Sequence, residues 1–344
     1  MKKIQAFKIK NTQLFFNWFQ SLFFLIGLVQ RTVSQTSLSP TTKQFAPVVL
    51  EGNGLEHFDF FYAGEAKLES MYMVRKGKIV WSYTHPAKGE ISDAMMLNNG
   101  NILFTHQLGI TEIDQNKKVV WNYDAPEGTE IHTAQAIGKN HVLFIQNGSP
   151  AKLIVINKIS GKIVREWNLP VGNPKSIHGQ FRHARLTSSG TILVAHMDMG
   201  KVCEYDSKGK LLLTIDAPGV WGVESLKNGN MLITTRNKIS ELNSKAELVW
   251  EYPLQNIPDY VINSPQIAIR LANGNTLINN WFNTWSETID ISNQPLQAIE
   301  VTADKKIVWA LRSWKEPANL GPSTIIIPLN EPQTTEKVFF GDIH

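Results

Sequence analysis

The stretch SIHGQFRHARLTSSGTILVAHMDMG, from Ser176 to Gly200, concentrates side chains that can move protons and bind anions. It contains three of the nine histidines and two arginines, namely His178, His183, His196, Arg182 and Arg185. Imidazole exchanges a proton near neutral pH, whereas guanidinium stays cationic and matches the shape of a carboxylate. Removal of a proton next to a carboxylate needs both kinds of group, so this stretch is the first candidate for a site.

The elements that would position these residues follow from an internal repeat. Six copies of one short sequence motif, or word, are present: KGKIVWSY, NKKVVWNY, SGKIVREW, KGKLLLTI, KAELVWEY and DKKIVWAL. Turn words such as LNNGNILF and LKNGNMLI precede the later copies, and Asn-Gly between alternating apolar runs indicates a tight hairpin. Further words such as TEID and IVIN alternate with period two, as a half-buried strand does. Four short antiparallel strands per repeat are typical of a propeller blade.

We therefore predict an all-β protein with one six-bladed β-propeller over residues 45–344. The first blade has words for three strands, DFFYAGE, SMYMVRKG and KIVWSYT, but none for its inner strand. The word GPSTIIIPLNEP near the C-terminus resembles that missing strand. Pairing of the N- and C-terminal segments would close the ring without an open sheet edge.

The N-terminal segment has the layout of a secretory signal peptide. Residues 1–34 begin with the basic MKKIQAFKIK, continue with an apolar run and end in small residues near Ser34. We predict cleavage there, a linker over 35–44, a periplasmic or secreted location, and no stable membrane insertion after cleavage. The five basic residues of this segment account for the whole net charge of +4, so the remainder gives no support for nucleic-acid binding. Cys203 is the only cysteine, which excludes an internal disulfide.

Propeller geometry brings the start of each first strand and the end of each second strand to one mouth of the central channel. Five histidines fall at these positions. The residues expected there are Asp93, His106, Gln107, His132, Gln146, Asn147, His178, Arg182, His183, His196, Trp221, Arg236, Gln266, Asn280 and Trp281. In a regular strand, alternation would place His183 and Arg185 on one face and Arg182 on the other.

The repeat words resemble those of the pyrroloquinoline-quinone-like propeller superfamily, which includes arylsulfotransferase-like proteins. This resemblance covers nearly the whole chain after residue 34, and it implies the fold rather than an activity. The composition of the predicted mouth is similar to that of secreted propeller uronate lyases and oligosaccharide dehydratases of polysaccharide-degrading bacteria. Those enzymes share no diagnostic linear motif with this chain. We expect no pyrroloquinoline quinone, because the quinone enzymes of this superfamily are usually larger and some use a vicinal disulfide, which the single Cys203 cannot form. We expect no nucleotide either, because no phosphate-binding glycine loop is present.

The leading hypothesis is β-elimination on an anionic, uronic-acid-containing oligosaccharide by a carbon–oxygen lyase. Such chemistry needs a base, an acid for the leaving oxygen and positive charge near the carboxylate. His183 or His178 would be the base, and His132 the acid. Tyr62 or Tyr260 could replace a histidine. The predicted substrate-binding residues are Arg182, Arg185, Arg236, His106, His196, Gln146, Trp221 and Trp281, with the tryptophans stacking on sugar.

Three alternatives stay open at this point. The histidines could hold a divalent metal ion together with Asp93 or Gln146, although no HxH or HExxH spacing supports it. The same residue types would also serve sulfuryl transfer. Finally, the propeller could be a glycan-binding or scaffold module without catalysis.

Overall fold

The computed structural model describes residues 49–65, 69–86, 89–255, 257, 260, 262, 264–281 and 295–330. The predicted signal segment, 1–34, and linker, 35–44, lie outside this part of the chain. Within it, no helix is both long and apolar enough to cross a membrane.

The described residues form six four-stranded antiparallel sheets arranged as the blades of a propeller, which confirms the predicted fold class. Blade 1 contains β1 (Phe60–Glu65), β2 (Glu69–Arg75), β3 (Lys78–Thr84) and, from the other end of the chain, β24 (Ser323–Pro328). Blade 2 contains β4 (Ala94–Met96), β5 (Ile102–Thr105), β6 (Gly109–Ile113) and β7 (Val119–Asp124). Blade 3 contains β8 (Glu130–Ile137), β9 (His141–Asn147), β10 (Ala151–Asn157) and β11 (Ile163–Leu169).

The remaining blades follow the same order. Blade 4 contains β12 (Phe181–Leu186), β13 (Ile192–His196), β14 (Lys201–Tyr205) and β15 (Leu211–Asp216). Blade 5 contains β16 (Val220–Ser225), β17 (Met231–Thr235), β18 (Lys238–Leu242) and β19 (Leu248–Pro253). Blade 6 contains β20 (Ser264–Arg270), β21 (Thr276–Trp281), β22 (Ala298–Val301) and β23 (Ile307–Leu311). Two 3₁₀ turns cover Gly54–Glu56 and Ile177–Gly179.

The ring closes through blade 1, as the repeat words predict. Strand β24 pairs antiparallel with β1, with Tyr62 opposite Ile326 and Ala63 opposite Ile325. The hydroxyl of Tyr62 donates a hydrogen bond of 2.5 Å to the carbonyl of Gly321. Since β1 is covered by β24, its backbone groups are paired and the edge is not left open.

The core lies between neighbouring blades. Apolar side chains of blade 3, such as Leu143 and Val155, form one buried cluster with Phe181, Leu186 and Val194 of blade 4. The first strands of successive blades contact each other, β8 with β12, β12 with β16 and β16 with β20, so they form the inner wall of the ring. The fourth strands of blades 1 and 2, β3 and β7, alternate largely between exposed and half-buried residues, because one of their faces meets solvent.

Buried glutamates on third strands connect neighbouring blades. Glu112 accepts a hydrogen bond from Asn101 in the first turn of its own blade (2.6 Å) and pairs with Lys158 of blade 3 at 2.5 Å. The same arrangement recurs with Glu241 bound to Asn230 and Arg270, and Glu300 bound to Asn275 and His57. The asparagines of the Asn-Gly turn words therefore have a second role, because they help to satisfy a buried carboxylate.

A β-bulge lies near the start of the first strand in four consecutive blades. The pairing shifts between Ile131 and Thr133 in β8 and between Phe181 and Ala184 in β12. Equivalent shifts occur between Val220 and Gly222 in β16 and between Pro265 and Ala268 in β20. A bulge leaves a residue outside the ladder and turns its side chain in a new direction.

Candidate functional site

Five polar side chains from three consecutive blades meet at one end of the inner wall, and we call them the mouth cluster. They are Glu90, Glu130, His132, His178 and Arg182. Glu90 precedes the first strand of blade 2, Glu130 and His132 begin β8, His178 lies in the 3₁₀ turn before β12, and Arg182 belongs to β12. His132 and Arg182 are both bulge residues, so the local break in pairing is what directs them into the cluster.

Glu130 holds the two imidazoles of the cluster. Its Oε2 lies 2.8 Å from Nε2 of His132 and 2.8 Å from Nδ1 of His178. The two rings are 5.0 Å apart and nearly perpendicular, at 89°. A carboxylate can only accept, so each of these nitrogens donates its proton to Glu130.

Glu90 and Arg182 complete the cluster on the other side of the imidazoles. Oε1 of Glu90 lies 2.7 Å from Nδ1 of His132 and 3.2 Å from Nη1 of Arg182. Nη2 of Arg182 donates a hydrogen bond of 2.8 Å to Nε2 of His178. The hydroxyl of Ser92 donates to Glu90 at 2.8 Å and also lies 3.0 Å from Nδ1 of His132.

Both carboxylates of the cluster are held in the ionised form. Burial favours the protonated form of Glu90, but Arg182, His132 and His178 outweigh it and lower the pKa of this carboxyl well below its usual range. Burial also acts against ionisation of Glu130, and its hydrogen bonds to His132 and His178 lower its pKa in the same way. The cluster therefore keeps two negative charges beside one guanidinium.

The members of the cluster differ in access to solvent. His132 is completely buried, at 0% exposure, and Arg182 is 3% exposed. The side chain of His178 is 52% exposed. Among the cluster imidazoles described here, His178 is therefore the one that an external molecule can reach.

Two tryptophans border the cluster. The guanidinium carbon of Arg182 lies 5.2 Å from the ring centre of Trp221, and Trp221 stacks with Trp281 at 6.5 Å and 23°. Trp221 is a bulge residue of β16, and Trp281 ends β21. Among the described residues, Nε of Arg182 and Nε1 of Trp221 find no hydrogen-bond acceptor although both atoms are buried. These donors are available to a ligand.

Arg185 lies in a separate buried network that crosses the ring. It donates to Asp93 of blade 2 at 2.8 and 3.0 Å, to Thr133 of blade 3 at 3.2 Å, and to Glu224 of blade 5 at 2.5 Å. Burial acts against its charge, but Asp93 and Glu224 outweigh it and raise the pKa of Arg185 above its usual value. Its donors are used internally, so it ties four blades together.

His183 is buried beside this network. Its Nδ1 lies 3.1 Å from the backbone oxygen of Trp221, and burial lowers its pKa to about 4. The expectation that His183 and Arg185 share a face while Arg182 takes the other assumed a regular strand. The bulge between Phe181 and Ala184 removes that assumption. Arg182 and Arg185 consequently both point to the interior of the ring, one to the mouth cluster and one to Asp93.

The structure does not bring four other predicted substrate-binding residues into the cluster. His106 packs against His85, with ring centres 4.3 Å apart, and burial followed by the charge of His85 lowers its pKa to about 4. His196 packs against Phe181 at 4.8 Å and bonds to the hydroxyl of Tyr205 at 3.0 Å.

Gln146 accepts a long hydrogen bond, 3.4 Å, from Tyr123 of blade 2. Arg236 is exposed and contributes no contact to the described cluster. Tyr62 is buried at the closure of the ring, where burial raises its pKa well above the usual value, so it is far from the role of a proton carrier at this site.

Sequence reasoning missed the two glutamates. The signal was present, because Glu130 precedes His132 by two positions in TEIH and Glu90 precedes Ser92 in GEIS. Two positions apart, side chains of a strand share a face. The two glutamates orient the histidines that the sequence pattern singles out.

Three residues of the cluster could hold a metal ion. One ligand atom each from Glu90, His132 and His178 lies within 4.8 Å of the other two. Neither of the metal partners expected from the sequence joins them, because Asp93 is engaged by Arg185 and Gln146 by Tyr123.

The comparison with solved structures finds other propellers. A protein of unknown function from Bacteroides caccae is 22% identical over 78% of this chain and 98% of that chain, with a TM-score of 0.68. A streptogramin B lyase is 14% identical over 77% and 87%, with a TM-score of 0.53. A catalytically inactive histidine-to-alanine variant of virginiamycin B lyase from Staphylococcus aureus, with quinupristin, is 15% identical over 76% and 87%, with a TM-score of 0.52.

At these identities the similarity shows a shared fold, but not a shared activity or substrate. The neighbours include lyases as well as a protein of unknown function. No protein-family model matches the sequence, and neither does any curated protein.

Proposed function

We propose that the protein is a lyase that breaks a carbon–oxygen bond by β-elimination in uronic-acid-containing oligosaccharides. One observation carries this proposal: a solvent-accessible imidazole, His178, is oriented by Glu130 next to a buried guanidinium, Arg182, that keeps a donor free. Base and carboxylate-binding group are thus adjacent, as elimination next to a carboxylate requires.

Arg182 would bind the carboxylate of the substrate. It is nearly buried, where a charged hydrogen bond is stronger than in water, and its Nε has no partner among the described residues. A bound carboxylate would draw Arg182 away from Nε2 of His178 and leave that nitrogen free to act. Positive charge at this place stabilises the enolate-like intermediate that forms when the neighbouring carbon loses its proton.

His178 would be the base. Glu130 fixes the proton on Nδ1, so the lone pair is on Nε2. Nε2 takes the proton from the carbon next to the carboxylate, the electron pair of that bond forms a carbon–carbon double bond, and the bond to the β-oxygen breaks. The leaving oxygen takes the pair and receives the proton back from His178. The products are an unsaturated uronate and an alcohol, so atoms and electrons balance without a redox partner.

His132 and His183 receive different roles from those expected for an acid and a base. His132 is fully buried between Glu90 and Glu130, so it would be a positioning residue that acts through the two carboxylates. His183 is buried and bonded to the backbone at Trp221, so it would support the position of the tryptophan. Trp221 and Trp281 would offer an apolar surface to the face of a sugar ring.

The structural neighbours give limited support. Two are lyases, and one of them is inactive when a histidine is replaced, so a propeller can carry histidine-dependent lyase chemistry. The repeat words support a place in the quinone-like propeller superfamily, and the N-terminal segment supports export. Membership of this superfamily and export are therefore parts of the proposal.

The test is ultraviolet absorbance of the unsaturated product, measured with a panel of uronic-acid oligosaccharides. We expect His178→Ala to lower kcat by about 10²–10⁴-fold, because a general base is removed. His141→Ala is the matched control, since His141 begins β9 and bonds to Asn157. Absence of product with the unmodified protein over the whole panel, or full activity of His178→Ala, would refute the proposal.

The stacked tryptophans also favour a simpler function, in which the mouth binds a glycan without cleaving it. In that case Trp281→Ala would weaken glycan binding, while His178→Ala would bind as tightly as the unmodified protein and no product would form.

A further inference from the structure

Three groups that can ligate a metal ion converge in the mouth cluster. One nitrogen of each ring donates to Glu130, so Nδ1 of His132 and Nε2 of His178 are the nitrogens left for a metal ion. Both face the carboxylate of Glu90, at 2.7 and 3.9 Å. Nδ1 of His132 donates a proton to Glu90, and a metal ion bound there would displace this proton.

We infer that Glu90, His132 and His178 form a binding site for a divalent transition-metal ion of the Zn²⁺ class. Two imidazoles and one carboxylate are a known donor set for zinc, and they leave coordination positions open for other ligands. Glu130 would be the carboxylate behind the ligands, which fixes the orientation of both rings. Mg²⁺ and Ca²⁺ prefer oxygen donors and would bind poorly to a site with two nitrogens.

The distances suit an ion after a small adjustment. Ligands about 2.1 Å from zinc in a tetrahedron are about 3.4 Å from each other. The ligand atoms here span 2.7 to 4.8 Å, so one of them must approach. His178 can do so because its side chain is half exposed, whereas His132 is fixed by burial.

The charge of the cluster also favours a cation. A metal ion binds neutral imidazole, and with both rings neutral the carboxylates of Glu90 and Glu130 outnumber the single guanidinium of Arg182. In the structure Arg182 occupies part of the place that the metal ion would take, since it donates to Nε2 of His178 and pairs with Glu90. A metal ion must displace it, and the ring of Trp221 gives the guanidinium another favourable place. Arg182 is therefore a competitor of the metal rather than a ligand.

A consequence for regulation follows, and this consequence alone rests on the proposed function. The metal would take the lone pair of His178 that acts as the base, so metal binding and elimination would exclude each other. Zn²⁺ would then be a reversible inhibitor that a chelator removes.

The experiment measures metal binding directly, by titration calorimetry on chelator-treated full-length protein without substrate. We expect one Zn²⁺ per chain, no binding of Mg²⁺, and loss of Zn²⁺ binding in Glu90→Gln and in His178→Ala. Glu130→Gln should weaken binding by about 10–100-fold, because it only orients the ligands. Arg182→Gln should tighten binding by at least about fivefold, because a competing cation is removed.

Matched controls separate this site from surface binding. Glu127→Gln changes an exposed acid in the loop before β8, and His141→Ala changes the histidine that begins β9 and bonds to Asn157. Both should bind Zn²⁺ like the unmodified protein, and thermal unfolding without metal shows that each variant is folded. Binding that persists in Glu90→Gln and His178→Ala, or equal binding of Mg²⁺, would overturn the metal site. Binding at the site without inhibition of product formation would leave the metal site standing and would instead refute the role of His178 as base.

Discussion

At the scale of single residues, the interior of this protein holds several histidines in the neutral state. Burial lowers the pKa of His183 and of His196 to about 4, and burial together with His85 does the same to His106. In the unfolded chain these groups would titrate near 6.5. Between these two values the unfolded chain binds protons that the folded protein does not.

The free energy of unfolding should therefore fall as the pH falls from about 6.5 to 4, and should be constant with respect to these groups above 6.5. Glu90 and Glu130 add to the loss only below about pH 5, where the carboxyls of the unfolded chain, with an ordinary pKa of 4.5, begin to bind protons that the folded protein does not bind. The measurement is the unfolding temperature at several pH values. His196→Gln should flatten the slope, whereas Tyr205→Phe, which keeps the imidazole, should not. An unchanged slope in His196→Gln would contradict this assignment.

A second prediction at this scale concerns the buried Arg185. Arg185→Met should lower the free energy of unfolding by about 3–5 kcal/mol, because it leaves the carboxylate of Asp93 buried and unpaired. Urea unfolding measures the loss. Addition of Asp93→Leu should restore a large part of it, since the unpaired charge is gone. If the double variant were as unstable as the sum of the single variants, the pairing would not be the cause.

At the scale of elements, the strands could be predicted but their irregularities could not. The repeat words and the Asn-Gly turns place the strands because alternation and turn chemistry are local properties. A bulge depends on how the neighbouring strand pairs, so the positions of Arg182 and Arg185 relative to the ring could not be derived from alternation. Glu130 is a different case, because its spacing of two positions from His132 is a local property that the sequence shows.

The glutamates between blades allow a test of how the elements are held together. Glu241→Gln should lower the free energy of unfolding by about 1–3 kcal/mol, because Arg270 of the next blade loses its partner and donors are left facing each other. Glu204→Gln is the control, since Glu204 is bonded to Thr191 within its own blade. Equal losses in both variants would show that the contact between blades contributes nothing of its own.

At the scale of the whole molecule, the closure of the ring could be predicted from the sequence. Blade 1 lacked the sequence motif of one strand, and the C-terminal segment contained that motif. Ile326 of β24 and Ile299 of β22 are both fully buried. Each Ile→Ala change should cost about 2–5 kcal/mol of unfolding free energy. Ile326→Ala should also speed hydrogen exchange in both β1 and β24, whereas Ile299→Ala should leave β1 protected. Protected β1 amides in Ile326→Ala would argue against β24 as the closing element.

The pairing of β24 with β1 also concerns the chain while it is being made. Strand β1 (Phe60–Glu65) leaves the ribosome before its partner β24 (Ser323–Pro328) has been translated. At about 5–20 residues per second, tens of seconds pass between the two. During that time the side of β1 that β24 covers in the folded protein has no partner. The ring therefore closes only after β24 has been translated, so the nascent chain passes through a stage with one open sheet edge.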